Sequence, residues 1–143
     1  MSVVALQQSH GLVPLVVVGA AFVNAWAAFK VGAARKKYGI MYPQMYAEQS
    51  DKNAKAFNCV QRAHQNVLEN TPFFLTLLFT SAVYRPVPAA ICGAVRVVSF
   101  IVYVNGYSSG DPKKRARGAF GYLALIGSAV LTVEASLKIM GYL

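Results

Sequence analysis

Asn58–Tyr84 reads NCVQRAHQNVLENTPFFLTLLFTSAVY. Its first half is polar and its second half, from Thr71 on, is almost wholly apolar. Taken as one helix, it sets Arg62, Asn66 and Glu69 at i, i+4 and i+7, a stripe on one face. A cation, an amide and a carboxylate at the mouth of a hydrophobic helix are costly when unpaired. Two readings of the stripe stand side by side: an ion pair within or between helices, or a binding surface for a charged molecule. Under either, the segment is a membrane helix with a polar mouth, and the rest of the chain follows from that.

The 143 residues suffice for one domain, and 56% of them are hydrophobic while only 13% are charged. Soluble domains carry about a quarter charged residues, so this balance points to a membrane protein. The net charge of +9 comes from 14 Lys plus Arg against 5 Asp plus Glu. The cations sit between long apolar runs, with no RNP, zinc-finger or helix-turn-helix pattern among them, which excludes a nucleic-acid partner. An anionic membrane surface or a small anionic ligand remains. Cys59 and Cys92 form no CxxC pair and no metal-ligand cluster, so neither a metal nor a structural disulfide is expected. No GxSxG, HExxH, P-loop or dinucleotide fingerprint is present.

Four apolar runs organise the chain as an all-α membrane protein, a single four-transmembrane-helix bundle over residues 1–143. The expected spans are about 12–31, 58–84, 89–107 and 119–140, each near the ~20 residues that cross ~30 Å of hydrocarbon. The N-terminus lacks a basic n-region and a small-residue cleavage site, so the first span is expected to stay. Gly39 and Pro43 break the helix after a basic collar of Lys30, Arg35, Lys36 and Lys37, and Tyr38, Tyr42 and Tyr46 suit an interfacial aromatic belt. RPVP at Arg85–Pro88 turns into the third span, where Tyr103 and Tyr107 share a face at i, i+4. Gly110, Asp111 and Pro112 then start a loop that carries Lys113, Lys114, Arg115 and Arg117. Arg96 and Glu134 lie inside spans and are candidates to pair with each other.

An even number of spans puts the first and third loops on one side of the membrane. That side holds Lys30, Arg35, Lys36, Lys37, Lys52, Lys55, Lys113, Lys114, Arg115 and Arg117, against Arg85 and Lys138 on the other. By the positive-inside rule the basic loops are cytosolic and both termini luminal. The Arg62 stripe, the tyrosine pair and the Arg115 loop therefore meet at one membrane face. Read alone, the Lys113–Arg117 cluster is equally a topology signal, and the tyrosines equally plain packing.

Three pieces carry a resemblance to a known family: ARKKYGIMYPQMY (Ala34–Tyr46), FNCVQRAHQNVLE (Phe57–Glu69) and NGYSSGDPKKR (Asn105–Arg115). In order and spacing they resemble the membrane-associated proteins in eicosanoid and glutathione metabolism, most closely the type 3 microsomal glutathione transferases. The resemblance covers essentially the whole chain. It implies a homotrimer of four-helix subunits with glutathione as co-substrate in a cleft between neighbours, facing the cytosol. Arg62, Asn66 and Glu69 match the motif that holds glutathione, and His64 falls within it, although on a helical wheel it points away from the stripe and suits a helix contact. Tyr103 and Tyr107 match tyrosines lining the same cleft, and Arg35 and Lys36 match a basic pair that faces the site from a neighbouring subunit. Arg115 aligns with the catalytic arginine of the leukotriene-forming synthase across a one-residue gap, which keeps Lys114 and Arg117 as alternatives. The chain departs from the family at Phe100, where an arginine is frequent, at Asn70, where the leukotriene enzyme has a tyrosine, and at His64, where it has a glutamine.

The implied chemistry suits the residue types. Arg62 can pair a glutathione carboxylate, Glu69 the ammonium, and Asn66 the peptide groups. A guanidinium beside the thiol favours thiolate. The thiolate would attack a hydrophobic lipid or xenobiotic electrophile drawn from the membrane lipids, either conjugating an epoxide or reducing a hydroperoxide. The implied enzyme is thus a glutathione transferase with peroxidase activity, in the endoplasmic reticulum first, with the outer mitochondrial or nuclear membrane as alternatives. The other branch of the resemblance is a non-catalytic lipid-binding scaffold.

Overall fold

The computed structural model describes residues 5–143, and every regular element in it is helical. A single 3-10 turn at Gln8–Gly11 leads into α1 (Leu12–Tyr38), followed by α2 (Ala54–Ala82), α3 (Pro86–Tyr107), a 3-10 segment at Pro112–Gly118 and α4 (Gly121–Met140). Three helical stretches are long and apolar enough to cross a membrane: Gln8–Tyr38, Pro86–Tyr107 and Gly121–Met140. α2 is 29 residues long but does not join them, because Lys55, Arg62 and Glu69 stud its first half.

Several helix boundaries differ from the sequence reading, the end of α1 and the start of α2 by the most. α1 runs to Tyr38 rather than residue 31, so Arg35, Lys36 and Lys37 form its last turn. Cations are favourable there, opposite the negative end of the helix dipole. Gly39 ends the helix at φ 71°, and its N–H donates to the Arg35 carbonyl, the left-handed cap that glycine adopts without strain. α2 begins at Ala54 rather than residue 58 and continues through Pro72, whose missing N–H leaves one carbonyl unbonded in a helix otherwise held by its neighbours.

The bundle packs through small residues. The buried stripe of α1 is Val13, Ala20, Val23, Ala27, Val31 and Ala34, repeating at three and four residues. Its first four residues meet Ala63, Val67, Phe74 and Leu78 of α2 and Ala89, Phe100 and Val104 of α3 in one core, while Val31 and Ala34 pack in a second cluster with Ile40, Ala47, Phe57 and Val60. Phe74 and Phe100 close that core edge to face, with ring centroids 6.0 Å apart. Other large apolar side chains face outward: Phe22, Phe29, Phe73, Leu123 and Ile126 are exposed. The Ala-rich inner face of α1, with large apolar side chains turned outward around the bundle, suits helices that associate within lipid, where close backbone approach contributes to packing.

The two ends of the bundle differ in charge. At one end Lys30 Nζ donates to Asn105 Oδ1 at 3.1 Å, joining the tail of α1 to that of α3. At the other, Glu134 of α4 accepts from Arg85 at 2.9 Å and from Lys138 at 2.7 Å. Glu134 is thus committed to Arg85 and Lys138, and the Arg96–Glu134 pair considered from sequence does not form. Cys59 and Cys92 are free thiols.

Candidate functional site

The stripe on α2 forms as the helical spacing predicts. Arg62 Nη1 donates to Glu69 Oε1 at 3.0 Å, and Gln65 reaches the same carboxylate oxygen at 3.5 Å. Asn66 Nδ2 donates to the Arg62 carbonyl at 3.1 Å, leaving the Asn66 amide oxygen free to accept. The ion pair stands at the surface, with 41% of the Arg62 side chain and 45% of Glu69 exposed.

The 3-10 segment crosses back over the end of α3. Asp111 starts it by accepting from the Lys113 N–H at 3.0 Å. Gly118 packs where a Cβ would come within 2.6 Å of the Tyr103 Cβ and 2.8 Å of the Ser99 carbonyl oxygen. Gly106 of α3 gives the matching space to the Lys114 backbone carbonyl. With both faces stripped to glycine, the segment lies directly on α3. Its Arg115 guanidinium then stands 5.8 Å from the Tyr107 ring centroid, within cation–π reach.

These elements enclose a cavity of about 360 Å³, walled by α2, α3, the 3-10 segment and α4. Arg62 and Asn66 line it from α2, Tyr103 from α3, and Arg115 from the 3-10 segment. Lys114 and Arg117 are not on its wall, so of the three basic residues that the alignment left open, Arg115 is the one that faces it. Glu69 reaches the cavity only through Arg62. Tyr107 is buried behind Tyr103, the two rings meeting edge to face at 5.8 Å.

Arg35, Lys36 and His64 lie away from this cavity within one subunit. Arg35 Nη1 donates to the Gln44 carbonyl at 2.7 Å, and its guanidinium lies 4.3 Å from the Tyr42 ring centroid. It ties the loop after α1 to the helix end. Lys36 is exposed, and His64 is half-buried on the other side of α2 from the stripe.

The sequence reading singled out Arg96, Phe100 and Asn70 without bringing them together as one wall. Arg96, Ser99 and Phe100 precede Tyr103 at i, i+3, i+4 and i+7 and share its face, a periodicity that was open to inspection. Asn70 extends the α2 stripe by one residue beyond Glu69, and Tyr122 of α4 completes the wall. Nothing local to Tyr122 signals its place there. Among the described residues, no group of three or more His, Cys, Asp or Glu is arranged to hold a metal ion.

The family model described as MAPEG matches residues 13–135, from the start of α1 through most of α4. The chain belongs to the MAPEG family. It is also similar, at 39% identity over 111 residues, to an uncharacterized protein of Synechocystis sp., covering 77% of this chain and 74% of that protein. MAPEG membership and three apolar helices of spanning length together make this an integral membrane protein. The cavity of this MAPEG chain lies at the same bundle end as the Lys30–Asn105 contact, the end that also carries the 3-10 segment and the basic tail of α1.

Proposed function

We propose that this protein is a glutathione-dependent membrane enzyme of the type 3 microsomal glutathione transferase kind, conjugating or reducing hydrophobic electrophiles. One observation carries the reading: Arg62, Asn66, Tyr103 and Arg115, drawn from three separate elements, line a single cavity. MAPEG membership supplies the chemistry that such a cavity would serve.

The division of labour follows from position. Arg62, Asn66 and Glu69 hold the carboxylates, peptide and ammonium of glutathione along ~10 Å of helix axis. Arg115 faces the thiol. A guanidinium stays charged at every relevant pH, so it lowers the thiol pKa without itself titrating. The thiolate attacks an epoxide carbon, the ring C–O bond breaks, and the alkoxide takes up a proton. With a hydroperoxide the thiolate cleaves the O–O bond, releasing an alcohol. The glutathione sulfenic acid so formed condenses with a second glutathione to disulfide and water. The Tyr103 hydroxyl, on the cavity wall, would hydrogen-bond the developing oxyanion.

In this reading the working unit is a homotrimer. Arg35 and Lys36, which lie off the cavity of their own subunit, contribute to a neighbour's glutathione cleft, and His64, also off it, belongs to the same glutathione-binding set. α2 is the fourth span over a single domain of residues 1–143, its polar half opening to the cytosol. The basic loops are cytosolic, the termini luminal, and the membrane that of the endoplasmic reticulum. The test is to purify the protein in detergent and assay glutathione conjugation of a lipid epoxide and reduction of a lipid hydroperoxide. Turnover with either supports the reading; a folded trimer that turns over neither overturns it in favour of a lipid-binding scaffold.

A further inference from the structure

Lys30 and Lys37 share one face of α1, seven residues and ~10 Å apart along its axis. Both line an open cleft of about 230 Å³ at the basic end of the bundle. Ala33 and Ala34 keep the wall between them low, and Ser108 brings in the end of α3. The cleft shares no residue with the cavity that holds Arg62 and Arg115. No carboxylate lines it. The ion pairs of the described residues, Arg62–Glu69 and the Arg85–Glu134–Lys138 group, include neither lysine. Two cations thus face one open cleft with no counter-ion of their own.

What lies below the cleft is apolar. α1 and α3 run side by side in the same direction, with Gly19 against Val97 and, further along, Lys30 against Asn105. Phe22 and Phe29 of α1 and Val98 and Ile101 of α3 are exposed and flank this seam on the side away from α2. An apolar seam one or two turns below a pair of lysines has the layout of a phospholipid, chains beneath and phosphate above.

We propose that the cleft binds the phosphate of an anionic phospholipid, whose acyl chains lie along the α1–α3 seam. Lys30 is held by Asn105 at 3.1 Å and has further N–H donors for a phosphate oxygen. Lys37 is exposed and reaches the same cleft from the last turn of α1. A choline headgroup fits poorly: it adds a cation where no carboxylate waits. The Trp26 face that could take a choline is already covered by Lys30 Nζ, 4.8 Å from the ring centroid. The site therefore selects an anionic headgroup over a zwitterionic one. This binding stands apart from the glutathione reading and needs no turnover.

The experiment titrates dioleoyl phosphatidylglycerol, dioleoyl phosphatidylcholine and inorganic phosphate into the detergent-purified full chain and follows thermal stabilisation. It uses the wild type, Lys37→Gln, the Lys30→Gln/Lys37→Gln double variant, and Lys52→Gln as a control for an exposed lysine outside the cleft. The wild type is expected to bind phosphatidylglycerol tenfold or more tightly than phosphatidylcholine, at about fivefold per lysine. Lys37→Gln should lose about fivefold of that preference, the double variant nearly all of it, and Lys52→Gln little. Equal binding of the two lipids by the wild type, the result if a second copy of the chain covers the seam, overturns the proposal even where the double variant does not fold. A preference that survives in a folded double variant overturns it too. So does a loss in Lys52→Gln as large as in Lys37→Gln, which would make the effect one of general surface charge. Stabilisation by inorganic phosphate at the same concentrations as the lipid would assign the cleft to a free anion and overturn the lipid assignment.

Discussion

Gly106 of α3 lies directly against the backbone carbonyl of Lys114, with no room between them for a Cβ. This contact, one residue before Arg115, sets the height at which the 3-10 segment sits on α3. Gly106→Ala is therefore expected to push the segment outward and lower stability by about 1–3 kcal/mol, the usual cost of overpacking. A shift of the Arg115 guanidinium on the order of 1 Å should lower turnover by roughly 10²-fold. Thermal melting and steady-state kinetics measured on the same preparation check this. Full activity with an unchanged melting temperature would show that the close approach has no part in placing Arg115.

Glu69→Gln separates binding from stability. The Arg62–Glu69 pair is about half exposed, so its loss should change stability by no more than about 1 kcal/mol. The glutathione ammonium, however, loses its partner, and KM for glutathione should rise roughly tenfold while kcat changes little. A large drop in melting temperature with unchanged KM would make the pair a structural brace and nothing more.

Asn70→Leu tests the support of the buried arginine. It removes the side-chain acceptor that Arg96 Nη2 meets at 3.0 Å, weakening the support of a deeply buried guanidinium. The expected cost is about 1–3 kcal/mol, read as a lower melting temperature. The double variant Asn70→Leu with Arg96→Met should recover much of it, since an apolar pair of similar volume carries no desolvation penalty. Additive losses in the double variant would show that the two residues do not act on each other.

Much of this fold was open to reading along the chain. Hydrocarbon thickness fixes the length of an apolar run, and α1, α3 and α4 follow from it. The last turn of α1 was hidden because Arg35, Lys36 and Lys37 look like a loop to any measure of hydropathy, although a helix end welcomes them. The start of α2 was hidden in the same way by Lys55. At the site, the helical period gave the Arg62–Asn66–Glu69 stripe directly. The partner of Arg96 could not be read, since Asn70 is 26 residues away in sequence and the choice between it and Glu134 depends on how α2 and α4 pack around α3. Nor could the choice among Lys114, Arg115 and Arg117, which turns on the pitch of a 3-10 segment and on two glycines that let it lie flat.

The central claim is that Arg115 converts bound glutathione to its thiolate. The most direct measurement is the ultraviolet thiolate absorbance on adding glutathione to the purified protein, in wild type and in Arg115→Ala. Arg115 is exposed and makes no hydrogen bond to another side chain among the described residues, so the variant should fold with unchanged stability. The account predicts a saturable thiolate signal in the wild type and its loss in Arg115→Ala, with glutathione affinity changed only a few-fold. An undiminished thiolate signal in the variant would contradict it.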